Sequence, residues 1–487
     1  MTDTTAKPTG DADTGGLGFI FKRRFAPLFV LLQTGTFNDN ALKNALIALI
    51  TFGGIAFLSD LPSSVRVPIA ALIFTGPFTL VCSIAGQIAD KVDRGIILRW
   101  VKRMEIIIMC IAAIGFWLVD VRILALALGL MGAQSGFFSP TKNAVLPQWL
   151  TNKELIRGNA LLNGFVFVLI LVGQVVATFL VLAEGGPKMV AVMILIIALI
   201  GWAASEFCPP APAPNPEMKL NEDALAGTLD ALSSVYPKAQ NWTKITRNFL
   251  GKIVSFLILP ITATISALYK AVKAPTVLRP MLGIAWFYGL STVFVTTFPD
   301  YVASVMRYDA SVLIIMLVLS TLSILVGSLI VMMVGNAKIW GPEAVRLSAI
   351  GITGVMVFIS AIYFLPSPTH TGETLGTAAD FLANKNTPLF LGALLLSSIC
   401  NGLFVVPLQA MAQRRAEPAQ RARLMSAGAV LLNLFVNLTT FGLIWLALKE
   451  LPPKSPFLMV VVGSAIVAAY AIYRSFRPVE HTIYMDT

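Results

Sequence analysis

Charged side chains are scarce in this sequence of 487 residues: Asp, Glu, Lys and Arg together make up only 13% of it. A typical soluble domain has about 25% charged residues. Hydrophobic residues reach 56%, which is more than the core of a water-soluble protein can use. The composition therefore excludes a soluble enzyme and a disordered, collagen-like or coiled-coil chain. It predicts an all-α integral membrane protein with many helical spans.

Residues that form disulfides and metal sites are also few. The two histidines lie far apart in polar segments, and no two cysteines form a CxxC pair. A disulfide framework, a zinc site and a haem site are therefore not expected. The sequence also lacks HExxH and GxSxG, so we expect no enzyme, no metal site and no cofactor beyond a coupled Na⁺ or H⁺. The net charge of +11 favours basic loops on a cytoplasmic face over nucleic-acid binding.

Apolar runs long enough to cross about 30 Å of hydrocarbon occur twelve times. They cover residues 25–57, 66–89, 96–118, 122–149, 157–183, 187–207, 277–304, 310–334, 345–365, 387–412, 424–448 and 456–474. Most lysines and arginines fall in alternate connections, Lys102 and Arg103 among them. This bias predicts that both termini are cytoplasmic, in agreement with an even number of spans.

The longest interruption follows the sixth span and divides the chain into two six-helix halves, which is typical of a secondary transporter built from repeats. The predicted segments are a flexible cytoplasmic N-terminus (1–21), an N-terminal bundle (22–207), a cytoplasmic linker (208–274), a C-terminal bundle (275–475) and a cytoplasmic tail (476–487).

The linker has two parts of different composition. Residues 209–216 are proline-rich, which predicts an extended segment. In residues 241–273 basic and apolar side chains alternate, which predicts an amphipathic helix in the cytoplasmic interface. A thirteenth span is the alternative for this second part, and the basic residues at both ends of its short apolar stretch argue against it.

The middle of the first span contains an unusual group of polar residues. Asp39 and Lys43 are four residues apart, so they share a helical face and can pair. Asn40 and Asn44 repeat on the neighbouring stripe, and Asn38 adds a third amide. Because a charge at this depth costs several kcal/mol, we expect all five to contact a zwitterionic or cation-coupled substrate. The alternative is a polar network that only holds helices together.

Two further spans offer candidate substrate contacts. In the fourth span, Lys142 and Asn143 follow Pro140, which bends the helix. Lys142 can bind a phosphate as a point charge or extend to the membrane interface. In the eleventh span, Asn433 and Asn437 lie four residues apart and can contact substrate or a neighbouring helix.

The short turn between the second and third spans is a candidate gate. Gly86 permits close helix approach, and Asp90 and Arg94 can form charge-assisted hydrogen bonds across a helix interface and to helix ends. Such bonds, if made in only one of two states, would bias an alternating-access equilibrium. An ordinary polar loop is the alternative.

Asp90 and Arg94 in this turn resemble the loop signature of the major facilitator superfamily, although Lys91 stands where arginine is usual and Asp93 where glycine is usual. Three further segments narrow the resemblance to the bacterial lysophospholipid transporters, both free-standing and fused to an acyltransferase. These segments are Phe37–Ala41, Phe138–Lys142 and Phe404–Leu408.

The resemblance covers residues 22–207 well and 275–475 more loosely. It implies a monomer that flips lysophosphatidylethanolamine, and lysophosphatidylglycerol, inward across the bacterial inner membrane by alternating access. A cytoplasmic acyltransferase or acyl-acyl carrier protein synthetase would then reacylate the lipid. The resemblance further implies that transport is either independent of an energy source or aided by a sodium gradient.

By carry-over, Asp39 and Lys142 match the acid of the first span and the lysine of the fourth span in this family. Relatives carry a basic residue in the seventh span and an acidic residue in the eleventh, where this chain has Val295 and Val436. The headgroup of such a lipid would need an acid for its amine, Asp39, and a base for its phosphate, Lys43 or Lys142. The sequence leaves open with which lysine Asp39 pairs.

Two other functions remain compatible with the sequence. The first is a proton- or sodium-coupled transporter of a soluble small molecule or drug, with Asp39 as the ion site. The second is a non-transporting partner that docks a cytoplasmic acyltransferase through the basic 241–273 helix.

Overall fold

The computed structural model describes residues 17–55, 58, 60–213, 216, 217, 272, 275–334, 342–415 and 421–476. The predicted amphipathic helix over 241–273 and the tail after residue 476 therefore lie outside the described residues, apart from Val272. Within the described residues the chain forms twelve long helices. The first six are α1 (Ala26–Thr51), α2 (Ser63–Lys91), α3 (Arg94–Leu118), α4 (Val121–Trp149), α5 (Asn152–Val181) and α6 (Gly186–Glu206).

The second six helices follow the linker. They are α7 (Pro275–Asp300), α8 (Ala310–Val334), α9 (Pro342–Phe364), α10 (Thr387–Arg415), α11 (Arg421–Leu448) and α12 (Ser455–Ser475). A π-helical turn, Tyr301–Met306, extends α7, and a short helix, Ala378–Ala383, precedes α10.

The prediction of an all-α membrane protein is confirmed. Nine of the twelve helices in the described part of the chain are long and apolar enough to cross a membrane. The other three are α1, α3 and α5. Of these, α1 and α3 carry charged and amide side chains in their interiors, and these polar residues turn out to be the ones that matter for the site.

The helices of the two halves pack in the same pattern, shifted by six. In the N-terminal half α1 packs on α5, α2 on α4, and α3 on α4 and α6. In the C-terminal half α7 packs on α11, α8 on α10, and α9 on α10 and α12. The repeat predicted from the hydropathy pattern is therefore present in the packing.

The halves meet through two equivalent interfaces, α2 with α11 and α5 with α8. Contacts of α7 with α1 and α2 add to them. Phe52, just past the end of α1, packs against the hydrophobic core of the C-terminal half. The halves are therefore joined at the end of α1 that the charge pattern predicts to be extracytoplasmic.

Residues 17–21, which the sequence assigns to a flexible N-terminus, form a 3-10 helix. Phe19 in this turn is buried, and its ring stacks edge-to-face on Phe25 with the ring centroids 5.0 Å apart. The reason is apolar burial, since both rings belong to a core that also contains Leu28 and Trp149. The first turn before α1 is thus part of the N-terminal bundle.

Candidate functional site

The polar residues of α1 divide into an open set and a sealed set. Asp39 and Lys43 are partly exposed, as is Lys142 of α4, although all three lie within helix interiors. The amides of Asn38, Asn40 and Asn44 are buried instead. The structure therefore leaves the charged groups within reach of a ligand and withdraws the three asparagines.

The carboxylate of Asp39 is held by the neighbouring helix. The hydroxyl of Ser135 on α4 lies 2.9 Å from Oδ1 and 3.0 Å from Oδ2 of Asp39. Ser135 is itself buried, so this contact fixes the carboxylate relative to α4. No ion pair joins Asp39 to Lys43 or Lys142 in the part of the chain that the structure describes.

The two lysines of the open set take other partners. Lys43 Nζ donates to Oδ1 of Asn40 at 3.3 Å and lies 6.0 Å from the ring centroid of Phe74. Lys142 Nζ lies 5.9 Å from the ring centroid of Phe138. Both ammonium groups still lie within electrostatic range of Asp39. The predicted pairing within α1 is therefore absent among the described contacts, and its place is taken by an amide and aromatic rings.

Fully buried polar residues lie beside the open set, and we call the group of Lys102, Glu105 and Asn38 the sealed layer. On α3, Lys102 Nζ donates to Oε2 of Glu105 at 2.6 Å, and these residues are only 1% and 0% exposed. Asn38 donates to Oε1 of Glu105 and to the carbonyl of Ile194 on α6, both at 3.2 Å. Asn38 thus binds helices α3 and α6 to α1, which is the structural alternative considered for these amides.

Gln134 connects the sealed layer to Asp39 of the open set. Its Nε2 lies 3.2 Å from the carbonyl of Val101 and 3.4 Å from Oε2 of Glu105, and its Oε1 lies 3.2 Å from the hydroxyl of Ser135. Since Ser135 also contacts Asp39, polar contacts link Glu105 to Asp39 through Gln134 and Ser135, and the one hydroxyl proton of Ser135 serves one acceptor at a time. Asp39 is thereby connected to the buried ion pair.

Glycines make room for the buried lysine. A Cβ atom on Gly35 of α1 would lie 2.9 Å from Lys102 Nζ, and one on Gly201 of α6 would lie 3.2 Å from it. The ring of Phe138 covers a further side, with its centroid 5.8 Å from Nζ. The space for Lys102 between α1 and α6 therefore depends on these two glycines.

Lys102 and Glu105 were not predicted as site residues. The charge pattern counted Lys102 with the basic residues of the cytoplasmic side, but α3 begins at Arg94, so Lys102 lies about 12 Å along the helix at 1.5 Å per residue. The signal that could have identified the pair is its spacing of three residues, which puts opposite charges on one helical face. Glu105 in particular has no other acidic residue near it in α3.

The two candidate residues of α11, Asn433 and Asn437, have different hydrogen-bond partners. Asn433 is partly exposed and donates to the carbonyl of Ala429 in its own helix at 2.8 Å. Asn437 binds the other half of the protein: it accepts from Thr75 at 2.6 Å and donates to Thr79 at 2.8 Å. Asn437 thus joins α11 to α2. The side chain of Asn143 lies outside the described residues.

The predicted gate is well ordered around Arg94, which is buried. Its Nη2 contacts Asp90 at 3.1 Å, its Nε donates to the carbonyl of Ala89 at 2.9 Å, and its Nη1 donates to the carbonyl of Ala144 at 3.1 Å. Arg94 therefore joins the end of α2, where Gly86 lies one turn before Asp90, to α4.

A family model described as Major Facilitator Superfamily matches residues 46–435, which is most of the chain. The chain therefore belongs to the major facilitator superfamily, and the resemblance seen in the sequence is confirmed. With its apolar helices, the protein is a multi-pass membrane transporter.

Among curated proteins, the chain is similar to the lysophospholipid transporter LplT of Enterobacter sp. (strain 638), with 26% identity over 139 residues. It is 27% identical to LplT of Shigella flexneri over a stretch of the same length. The aligned stretch covers 28% of this chain and 32% of each relative, so the similarity extends over about a third of the relatives' length.

Solved structures agree with the fold over nearly the whole chain. An auto-inhibited POT family peptide transporter matches with a TM-score of 0.64 at 14% identity, covering 96% of this chain and 99% of that one. An outward-facing bacterial homologue of the iron transporter ferroportin matches with a TM-score of 0.53 at 14% identity, covering 92% and 100%. At such identities the matches define the fold alone.

Proposed function

We propose that this protein moves lysophospholipids across the bacterial inner membrane by alternating access of its two halves. One observation carries the proposal: a carboxylate and two ammonium groups lie partly exposed inside the N-terminal half, without an ion pair between them among the described residues. A zwitterionic headgroup offers the complementary charges, its amine to Asp39 and its phosphate to Lys43 or Lys142.

The relatives support the same substrate class, because the named ones are lysophospholipid transporters. The proposed substrates are lysophosphatidylethanolamine and lysophosphatidylglycerol, which a cytoplasmic acyltransferase or acyl-acyl carrier protein synthetase then reacylates. The excess of lysine and arginine in alternate connections supports the inner membrane, with both termini in the cytoplasm. We propose that a monomer suffices, since one chain supplies both halves.

The packing supports rocking of the halves as the mechanism. Each half has its own buried core, and the halves touch through a few helix pairs. Phe52, at the predicted outer end of α1, packs against the core of the C-terminal half. Exposure of Asp39 and Lys142 in this arrangement therefore favours a central chamber that opens toward the cytoplasm.

The test is uptake of radiolabelled lysophosphatidylethanolamine into spheroplasts that lack their own lysolipid uptake. Asp39→Asn and Lys142→Gln keep the size of each side chain and remove its charge. Each should lower uptake about 10- to 100-fold, because a hydrogen bond to a charged group contributes about 1.5–3 kcal/mol. Arg122→Gln removes an exposed charge at the start of α4 and should leave uptake unchanged.

The protein level of every variant is matched by immunoblot, so that loss of folded protein is not read as loss of transport. If both charge-removed variants take up lysolipid as fast as the unaltered protein, the assignment of Asp39 and Lys142 to the headgroup is wrong. If the unaltered protein takes up none, the substrate class is wrong.

A second candidate function rests on the oxygen atoms around Ser135. Its hydroxyl has a single proton, yet three acceptor oxygens lie within 3.2 Å of it: both carboxylate oxygens of Asp39 and Oε1 of Gln134. A cluster of oxygens with too few donors suits a bound proton or Na⁺. The protein would then couple ion entry to transport of a soluble small molecule or drug.

This candidate makes a different prediction for the same spheroplasts. Uptake of the soluble solute would collapse when the proton or sodium gradient is removed, and an excess of lysolipid would not compete with it. Strong competition by lysolipid, with no dependence on either gradient, would exclude the ion-coupled alternative.

A further inference from the structure

The first six residues of the linker, 208–213, fold back onto the N-terminal half; we call them the strap. Cys208 is 1% exposed and Ala211 is fully buried. Both belong to the core formed by the ends of α1, α3 and α4. The sequence predicted an extended proline-rich segment here, and the structure adds that this segment is docked.

Backbone carbonyls of the strap are held by side chains from two helices. Proline has no N–H to donate, so the carbonyls are the groups that need partners. Trp149 donates to the carbonyl of Pro210 at 3.2 Å, Gln148 to that of Pro212 at 3.2 Å, and Arg99 to that of Cys208 at 3.3 Å. The strap is thus bonded to both α3 and α4.

Asp93, in the turn between α2 and α3, binds the strap and the helix at once. Its Oδ1 accepts from the backbone N–H groups of Gly95 and Ile96 at 2.8 and 3.1 Å, which caps α3. The same carboxylate accepts from the N–H of Ala211, 3.2 Å from Oδ2. The N–H of Arg94 donates to the carbonyl of Ala211 at 2.9 Å.

The strap therefore binds Asp93 and Arg94, and Arg94 is one of the residues of the candidate gate. The backbone of Arg94 is fixed by Ala211, while its guanidinium joins the end of α2 to α4. Gly95 completes the fit, because a Cβ atom there would lie 2.7 Å from the carbonyl oxygen of Pro209. Asp93, Arg94 and Gly95 thus contact the strap, and Asp93 and Arg94 also contact the ends of the neighbouring helices.

We propose that the docked strap positions the α2–α3 turn and so holds the inner ends of α2, α3 and α4 as one body, with Asp93 as its positioning residue. Undocking of the strap frees Arg94 and shifts the equilibrium between the conformations of the two halves. This inference rests on the gating role proposed for Asp90 and Arg94, and it is independent of which substrate is carried.

Cys208 is a natural reporter of docking. Burial raises the pKa of its thiol to about 12, and the thiolate is the form that reacts with maleimide. The docked strap therefore protects Cys208 both by covering it and by keeping it protonated. With Cys82, Cys110 and Cys400 replaced by alanine, Cys208 is the one remaining thiol of the sequence.

The experiment measures the rate of maleimide labelling of Cys208 in purified protein in lipid nanodiscs. Asp93→Ala should label about 10-fold faster, since it removes hydrogen bonds at the strap and at the cap. Asp93→Asn keeps the oxygen that caps α3 but places an NH2 donor where Oδ2 accepts from the N–H of Ala211, so it should also label faster, by less than Asp93→Ala. Gly95→Ala keeps the carboxylate of Asp93, and its Cβ would lie 2.7 Å from the carbonyl oxygen of Pro209 and 3.1 Å from Asp93 Oδ1. It should also label faster, whereas Gly392→Ala, which has open space around it, should not.

A second measurement reports the gate without any substrate. In a chain without its four cysteines, spin labels at the exposed positions Ile96 and Phe476 report the distance between the inner ends of the halves. Asp93→Ala should shift or broaden this distance distribution, and Asp93→Asn should shift it in the same direction. Because Asp93→Asn keeps the acceptor that caps α3, a change in both readouts with this variant cannot come from loss of the cap.

Unchanged labelling in both Asp93→Ala and Gly95→Ala would show that neither residue holds the strap, and the proposal would fail. Faster labelling with an unaltered distance distribution would show a strap that docks without positioning the gate, which also overturns it. Both readouts are made without lysolipid, so they are decided even if lysolipid proves not to be the substrate.

Discussion

The two halves of this transporter pack their helices in the same pattern, yet their interiors differ in kind. The N-terminal half has six charged residues more than five positions from a helix end, and all of them except Arg103 are buried or partly buried: Asp39, Lys43, Lys102, Arg103, Glu105 and Lys142. In the six described helices of the C-terminal half, every Asp, Glu, Lys and Arg lies within five residues of a helix end. The shared packing therefore does not require charges, and those in the first half serve another purpose.

Several hydroxyl groups in the C-terminal half form hydrogen bonds within their own helix. Thr292, Thr296 and Thr440 each donate to a carbonyl four residues earlier in the same helix, at 2.7–2.8 Å. Such bonds make no demand on a neighbouring helix. Val436, where the family resemblance leads one to expect an acid, is buried, and its carbonyl accepts the hydrogen bond from Thr440. This half is therefore suited to move as an apolar body against a charged one.

Within the N-terminal half, the charged residues likewise fall into two groups, one buried and paired and the other partly exposed. Lys102 and Glu105 neutralise each other in a sealed layer, whereas Asp39, Lys43 and Lys142 form no ion pair among the described residues and stay partly exposed. A sealed pair cannot meet a ligand, and open charges of both signs can. The sealed layer positions the helices, and the open set contains the residues that we propose bind the headgroup.

The largest expected effect comes from breaking the sealed pair. Lys102→Met leaves Glu105 buried without its partner, and loss of one member of a buried pair costs about 3–5 kcal/mol. We expect the purified variant to unfold at a markedly lower temperature, or to fail to accumulate. Thermal unfolding in detergent, monitored by size-exclusion chromatography, measures this.

The next residue on α3 supplies a matched control. Arg103 pairs with Glu206 at 3.0 Å, but the pair is exposed, and exposed pairs contribute about 0–1 kcal/mol. Arg103→Met should therefore hardly change the unfolding temperature. The double variant Lys102→Met, Glu105→Leu should recover much of the loss, because it removes both charges together. Equal effects of Lys102→Met and Arg103→Met would contradict the sealed layer.

Much of the fold could be predicted from the sequence, because a helix that crosses the bilayer needs a long run of apolar residues. The predicted eighth span, 310–334, coincides with α8, and the fourth, 122–149, begins one residue late. Apolar length is a property of the segment itself and needs no neighbour to be recognised. The same reasoning identified Asp39 as a residue at mid-helix depth.

The contacts that make the site were not predictable in the same way. Lys102 lies in a basic stretch near the end of a span, so the charge bias assigned it to the cytoplasm, whereas its partner on α3 and two distant glycines keep it inside. The sequence left open whether Asp39 pairs with Lys43 or Lys142, and in the structure Lys43 binds Asn40. The choice between possible partners depends on how α1, α4 and α6 pack, which no local pattern in the sequence contains.

A smaller effect should come from filling the space that the buried lysine occupies. In Gly201→Ala the new methyl group would overlap the hydroxyl of Thr34 and lie 3.2 Å from Lys102 Nζ. Overpacking of this kind typically costs about 1–3 kcal/mol. Gly392→Ala of the C-terminal half meets no atom within 4 Å and should leave the unfolding temperature unaltered. If both alanines are tolerated equally, α1 and α6 do not enclose Lys102 as closely as we describe.

The smallest effect concerns the interface that joins the unlike halves. In Asn437→Leu, Thr75 and Thr79 of α2 lose their partner on α11. Each hydroxyl still has a carbonyl of its own helix to bond, that of Ala71 or Thr75. Interhelical hydrogen bonds in membranes average about 0.6 kcal/mol, so the loss should be about 1 kcal/mol, or about 5-fold in the equilibrium between conformations.

Asn433 on the same helix is the matched control, since it donates only to the carbonyl of Ala429. Spin-label distances between the inner ends of the halves should shift in Asn437→Leu and stay unchanged in Asn433→Leu. The shift should move the population away from the conformation described here, because only this conformation is known to contain the α2–α11 bonds. An equal shift in both variants would mean that leucine acts through the packing of α11 itself, and the amide of Asn437 would then have no special part in joining the charged half to the apolar one.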